Sequence, residues 1–226
     1  MPRKRKSPVR RDQLKKADSR TAQKKKSKGQ GKTQPLTKPE FAEMCRIAKI
    51  LRDRCTDPEK KYKHDRDYMM LVIGVNVGCR CRVLSELKVS DFRGGFVDFW
   101  EYKTGKDFGY EMHPDVYKEI SDYVRRNHMT DDEYLFRASL EDYLPIVPKT
   151  IWKRTKDLAK MAGIEKNIGA HSLRKSYGRW IYDDTGDIYK VMKLYDHASP
   201  RITETYICIG KDDTNKDRSA IANLPQ

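Results

Sequence analysis

Aliphatic side chains become frequent in this 226-residue chain only from Leu36 onward. Before that point Val9 and Leu14 are the only branched aliphatic residues, set among 14 Lys and Arg and two Asp. Beyond residue 35, 34 Lys and Arg stand against 31 Asp and Glu. Of the formal net charge of +15, then, +12 belongs to residues 1–35 and only +3 to the rest. A segment that cannot bury apolar surface cannot offset the entropy of ordering its backbone. Residues 1–35 are therefore expected to be a basic disordered tail, and the core has to be built from residue 36 onward. Concentrated basicity suits a polyanion. The segment lacks the apolar face that would lay a helix on a membrane, so nucleic acid is the better reading. Arg3, Lys4, Arg5, Lys6, Lys24, Lys25 and Lys26 are its candidate phosphate contacts.

From Leu36 the pattern turns helical. Thr37 followed three residues later by Glu40 forms a capping box, and Phe41, Met44, Cys45, Ala48 and Leu51 recur at helical spacing. A second helix is expected from about His64 to Val77, broken at Gly78, and a short one from Leu84 to Val89. Between Phe92 and Tyr110 the period changes. Aromatic and β-branched residues, cut by Gly94-Gly95 and Thr104-Gly105, predict short antiparallel strands with turns. The helical period returns at Asp115 through Tyr117, Ile120 and Val124, and further helices fit about 149–162, 172–184, 187–195 and 200–209. The predicted fold class is mostly α with a small antiparallel β-sheet, in the α+β class.

Other classes are disfavoured. The longest mostly apolar stretch, Met69 to Gly78, falls far short of the roughly 20 residues that span a bilayer. No apolar segment follows the basic N-terminus as a secretory signal would require. Cys45, Cys55, Cys79, Cys81 and Cys208 contain no CxxC pair, so no metal site and no cofactor is expected, and the thiols read as small residues of a reducing compartment.

One ordered set of polar residues carries chemistry. Arg80 comes first, then His171-Ser172-Leu173-Arg174, then His197, and Tyr206 nine residues after His197. Two guanidiniums can neutralise a phosphate, two imidazoles can move protons or donate hydrogen bonds, and a phenol can serve as a nucleophile. Such a set can hold a phosphodiester and attack it without a metal.

Over residues 36–210 the chain resembles the tyrosine recombinase (phage integrase) family. The family's T-G-x-R block followed by L-x-x-S-D-[IV] aligns without a gap on Val77-Gly78-Cys79-Arg80 through Leu87-Lys88-Val89-Ser90-Asp91-Phe92, which selects Arg80 over Arg82. Tyr102-Lys103-Thr104-Gly105-Lys106 resembles the β-hairpin turn bearing the family's catalytic lysine. His171-Ser172-Leu173-Arg174 matches H-x-L-R, Leu194-Tyr195-Asp196-His197-Ala198-Ser199 resembles L-G-H-S-S, and Tyr206 falls at the nucleophile's distance. The resemblance implies a tyrosine recombinase catalytic domain from a mobile genetic element. It implies that Arg80 and Arg174 stabilise the pentacoordinate transition state and that Tyr206 forms a 3′-phosphotyrosyl intermediate. It further implies that His171 accepts the phenolic proton, Lys103 protonates the leaving 5′-oxygen and His197 hydrogen-bonds the phosphate. A type IB topoisomerase-like nicking and resealing enzyme uses the same residues, and a catalytically weak DNA-binding accessory protein is the third reading.

The family pattern is not followed throughout. Val83 stands where the family often has an acidic residue, three after the first arginine. Asp196 replaces the glycine before the second histidine and adds negative charge near the phosphate, and Lys175 follows Arg174 where His or Arg is frequent. Only about 35 residues precede the catalytic domain, where the family usually has a helical core-binding domain. Either the basic tail wraps the duplex or an accessory clamp or DNA-bending protein completes the grip. The expected partner is double-stranded DNA, with Lys106 and Lys175 added to the tail as contacts. The expected assembly is a dimer per site and a homo-tetramer on DNA, with a monomer in solution and residues 211–226 packing on a neighbouring protomer. The location implied is cytoplasmic and nucleoid-associated, or nuclear in a eukaryotic host.

Overall fold

A computed structural model describes residues 32–101 and 105–210. The expectations placed on residues 1–31 of the basic tail, on Lys103 and on residues 211–226 lie outside the described residues. The tail's expected boundary at residue 35 is too late: Gln34 donates its amide to the Asn167 carbonyl at 3.0 Å and the Thr33 carbonyl accepts from Lys175, because backbone groups can dock a segment that has no apolar side chains.

Helix α1 (Lys38–Arg54) starts where its capping box predicts: Thr37 Oγ1 accepts from the Glu40 amide at 3.3 Å and the Glu40 carboxylate accepts from the Thr37 amide at 2.7 Å. Helix α2 (Pro58–Asn76) begins six residues before the sequence-based start at His64. The apolar period is silent over Glu59-Lys60-Lys61, but Asp57 caps the Lys60 amide at 2.8 Å and Pro58 presets the first turn. From Tyr68 to Val75 every side of α2 is buried, which makes it the central helix. Its buried charged residues are paired. Asp65 accepts from Arg52 at 2.9 Å, Arg126 at 3.0 Å and Asn127 at 2.9 Å, and Asp67 accepts from Arg154 at 2.6 Å. Breaking one side of such a pair strands a buried charge, so these contacts fix which helices surround α2.

Helix α3 (Cys81–Glu86) lies about three residues earlier than the expected 84–89, because it starts directly after the turn at Gly78. A 3₁₀ turn (Val89–Asp91) leads into the predicted antiparallel sheet, β1 (Phe92–Arg93), β2 (Phe96–Glu101) and β3 (Lys106–Glu111), in the order β1-β2-β3. Phe99 pairs with Phe108 and Glu101 with Lys106. Helices α4 (Pro114–Arg126), α5 (Pro148–Met161), α6 (Ala170–Thr185), α7 (Ile188–Tyr195) and α8 (Pro200–Tyr206) follow close to the expected bounds. The mostly α, small-sheet class holds. No described helix is long and apolar enough to cross a membrane.

The main core runs from Leu36 through α2, α4 and α5 to Leu173 on α6. A second, small core of Val191, Tyr195 and Ile207 seats α7 and α8 against Tyr177 and Ile181 of α6. Helix α6 belongs to both.

Candidate active site

The site is built around α6. Gly169 donates its amide to Ser172 Oγ at 3.1 Å at the helix start. The spacing of His171, Arg174 and Lys175 places them on one face, one turn apart. Arg174 is only 8% exposed. Its guanidinium donates to the Gly78 carbonyl and lies 4.3 Å from the centre of the Tyr195 ring, and the Tyr195 hydroxyl donates back to the Arg174 carbonyl. Gly178, one turn farther on, permits this approach, since a Cβ there would overlap the Tyr195 phenol.

Gly78 ends α2 with φ +62°, a left-handed conformation that favours glycine, and the Tyr177 ring occupies the space a Cβ would need. The same turn aims a carbonyl at Arg174 and delivers Arg80 as the N-cap of α3. Arg80 Nη1 pairs with Glu101 Oε2 at 2.7 Å. A narrow cleft of about 50 Å³ lies between Arg80, Glu101, Arg174, Tyr110 and Tyr177. The larger cavity, about 300 Å³, has four carboxylates in its lining, Glu86, Asp91, Asp98 and Asp107, against the single cation Lys88. That excess of negative charge repels a phosphate, so the smaller cleft, with two arginines against Glu101, is the one better matched to an anion.

Tyr206 ends α8, half-buried. Its ring meets those of His197 and Tyr195 edge-on at centroid distances of 5.2 and 5.3 Å, with the Lys175 ammonium 5.4 Å from its centre. Burial pushes the Tyr206 phenol above its ordinary pKa; Arg174, which is hydrogen-bonded to it, and then Arg80 pull in the opposite direction. His197 is oriented by Thr203 of α8, with Nδ1 3.0 Å from Oγ1. His171 is solvent-accessible as a residue, but desolvation of its ring, followed by the charges of Lys175, Arg174 and Arg80, holds its pKa below the ordinary histidine value. The imidazole is therefore neutral near pH 7 and has a lone pair to accept a proton.

This convergence of two arginines, two histidines and a terminal-helix tyrosine agrees with sequence comparison. Residues 36–211 match the profile of the phage integrase family. The probable integrase/recombinase YoeC of Bacillus subtilis (strain 168) is 32% identical over 154 residues, covering 67% of this chain and 82% of that protein. The chain belongs to the phage integrase family. Among solved structures, the XerA recombinase superposes with a TM-score of 0.64 at 22% identity, over 85% of this chain and 64% of XerA. XerH bound to its palindromic difH substrate in a post-cleavage complex gives 0.62 at 19% identity, over 82% of this chain and 52% of XerH. These two likenesses show a shared tyrosine recombinase fold. The chain spans about half to two thirds of the length of those two recombinases.

Arg80 and Arg174 line one cleft, the Arg174 guanidinium lies on the Tyr195 ring, and the Tyr195 ring meets those of His197 and Tyr206, while His171 stands one turn before Arg174 on α6. Lys106 opens β3 across from Glu101, on the hairpin. Lys175, expected on the DNA-facing surface, is 6% exposed. Its ammonium donates to the Thr33 carbonyl at 2.5 Å and lies 3.7 Å from Cys208 Sγ. Lys175 is thus drawn inward although His171, one turn before it on the same face, stays exposed. Asp196 caps α7 at φ 54°, so this position calls for a left-handed residue, and aspartate tolerates that conformation better than most. Its carboxylate is on an exposed residue at the helix end.

Two residues of this integrase-family site escaped sequence reasoning. Tyr195 carried no signal beyond one aromatic among 13 tyrosines. Glu101 did carry one: the alternation of β2 buries Val97 and Glu101 on one face, and a carboxylate at an inward position needs a cation.

Proposed function

We propose that this chain is a site-specific DNA recombinase that cuts and rejoins double-stranded DNA through a covalent 3′-phosphotyrosyl intermediate. The observation that carries the reading is the meeting of the Tyr206 ring with His197 at 5.2 Å and with Tyr195 at 5.3 Å, the Tyr195 ring in turn carrying the Arg174 guanidinium at 4.3 Å. That is where a nucleophile and the groups that neutralise a phosphate have to meet.

In this mechanism Arg80 and Arg174 grip the non-bridging oxygens, and His197 adds a hydrogen bond. The Tyr206 oxygen forms a bond to phosphorus as the bond from phosphorus to the 5′-oxygen breaks. His171, kept neutral, takes the phenolic proton, and Lys103 on the hairpin gives a proton to the departing 5′-oxygen. The phosphodiester energy is kept in the tyrosyl ester, so attack by another strand's 5′-hydroxyl rejoins the backbone without a nucleotide cofactor. Arg3, Lys4, Arg5, Lys6, Lys24, Lys25, Lys26 and Lys106 supply sequence-independent phosphate contacts, and binding is accordingly steeply salt-dependent. On DNA the active form is a tetramer, two protomers to a site.

Covalent capture tests this. Wild type and Tyr206→Phe are incubated with a randomised pool of nicked duplexes, without metal or nucleotide, and then denatured. Protein-linked DNA is expected with wild type alone, and sequencing it identifies the target. Equal adduct from both proteins, or none from a wild type that binds DNA, sinks the proposal.

A further inference from the structure

Arg80 does not stand on its helix unsupported. Its side chain is 25% exposed while that of Glu101, its partner at 2.7 Å, is 4% exposed. Glu101 is the last residue of β2, and the Gly105 amide donates to its carbonyl at 2.9 Å to close the hairpin turn. Its side chain shares the buried face with Val97. On α3, the residue one turn after Arg80 is Val83, 4% exposed and packed in the main core. The carboxylate that holds the first arginine thus comes from the sheet, 21 residues along the chain, and not from the arginine's own helix.

We propose that Glu101 is a positioning residue for cleavage: it orients the Arg80 guanidinium toward the scissile phosphate and ties it to the end of β2. This rests on the recombinase reading above. An arginine has several rotatable bonds, and a bidentate grip on phosphate needs the planar fork set in advance. A charge-assisted hydrogen bond to Nη1 sets it, and the fork retains other N–H groups for the phosphate. The arrangement has an electrostatic cost, because a buried carboxylate beside the phosphate site opposes anion binding. Orientation and affinity therefore pull in opposite directions, which makes the role separable by experiment.

Glu101→Gln keeps the shape and removes the charge. Single-turnover cleavage of a nicked target duplex by Glu101→Gln is expected to fall by about 100-fold, the scale of loss for a catalytic group misplaced by ~1 Å. DNA affinity is expected to hold or tighten. Glu101→Asp, shorter by one methylene but charged, should recover part of the rate. In an Arg80→Lys background, Glu101→Gln should change the rate no more than about twofold, because residues acting through one contact are not additive. Wild-type cleavage by Glu101→Gln overturns the proposal. So does faster cleavage, which would make Glu101 a competitor for Arg80. A parallel loss of rate and DNA binding in both Glu101 variants would make it a structural strut only, and also overturns it. Failure of the recombinase reading looks different: wild type itself would then match Tyr206→Phe and give no adduct.

Discussion

The two cores of this molecule are unequal, and the chemistry straddles them. The large core wraps α2, whose residues from Tyr68 to Val75 are buried on all sides and whose Asp65 and Asp67 are locked by arginines of three other helices. It borders Arg80 and Arg174, the groups proposed to grip the phosphate. The small core holds Tyr206 on α8, a helix of seven residues whose partners are Val191, Tyr195 and Ile207. A short helix on three buried residues has little apolar area to fix it, so aromatic edges and polar contacts do the placing. The contrast separates the proposed phosphate grip, seated on the large core, from the proposed nucleophile, which is held locally. Local opening is easiest where buried contacts are fewest.

The largest expected effect tests this contrast directly. Leu71→Ala, fully buried on α2, should lower global stability by about 2–5 kcal/mol, read by denaturant unfolding, with loss of structure and cleavage together. Ile207→Ala, equally buried in the small core, should lie at the low end of the same ~2–5 kcal/mol range. There, hydrogen exchange in α7 and α8 and the cleavage rate should change well before the unfolding midpoint does. Equal global destabilisation by the two, without selective exchange in α7 and α8, would merge the cores into one cooperative unit.

A second, smaller effect concerns His171. Its pKa is lowered by desolvation and by Lys175, Arg174 and Arg80, so the neutral imidazole persists below the usual histidine value of about 6.5. As proton acceptor it must be neutral, so cleavage should be flat near neutrality and fall about tenfold per pH unit only below the depressed pKa. The same sign holds for stability: between about 6.5 and the lower folded value, the unfolded chain takes up the proton first and stability declines as pH falls. A cleavage profile whose acidic limb is unchanged in His171→Gln would remove His171 from the acceptor role.

The smallest effect is at Asp196. Replacing it by glycine should relieve a left-handed aspartate and stabilise the fold by up to about 1 kcal/mol, seen as a slightly higher melting temperature with cleavage retained. Destabilisation would mean that the carboxylate's own contacts outweigh the backbone strain.

Much of the architecture was legible in the chain. Thr37 and Glu40 announced the start of α1, and the change of period between Phe92 and Tyr110 announced the sheet. His171 and Arg174 were readable as neighbours because one helical turn separates them. The early start of α2 was missed because Glu59-Lys60-Lys61 has no apolar period, although Asp57-Pro58 held the cap signal. Lys175 looked like surface charge because charge is a property of the residue, whereas its burial beneath Thr33 depends on how a distant segment docks.

Spacing and residue type thus specified the helices, the sheet and the candidate reacting groups, since capping, periodicity and one-turn neighbours act within a few residues of one another. The pairing of Arg80 with Glu101, of Arg174 with Gly78 and of Tyr206 with Tyr195 came only with folding. Those contacts join positions on different elements, and which of many carboxylates, carbonyls and rings fills each place is decided by how whole elements pack around α2 and α6.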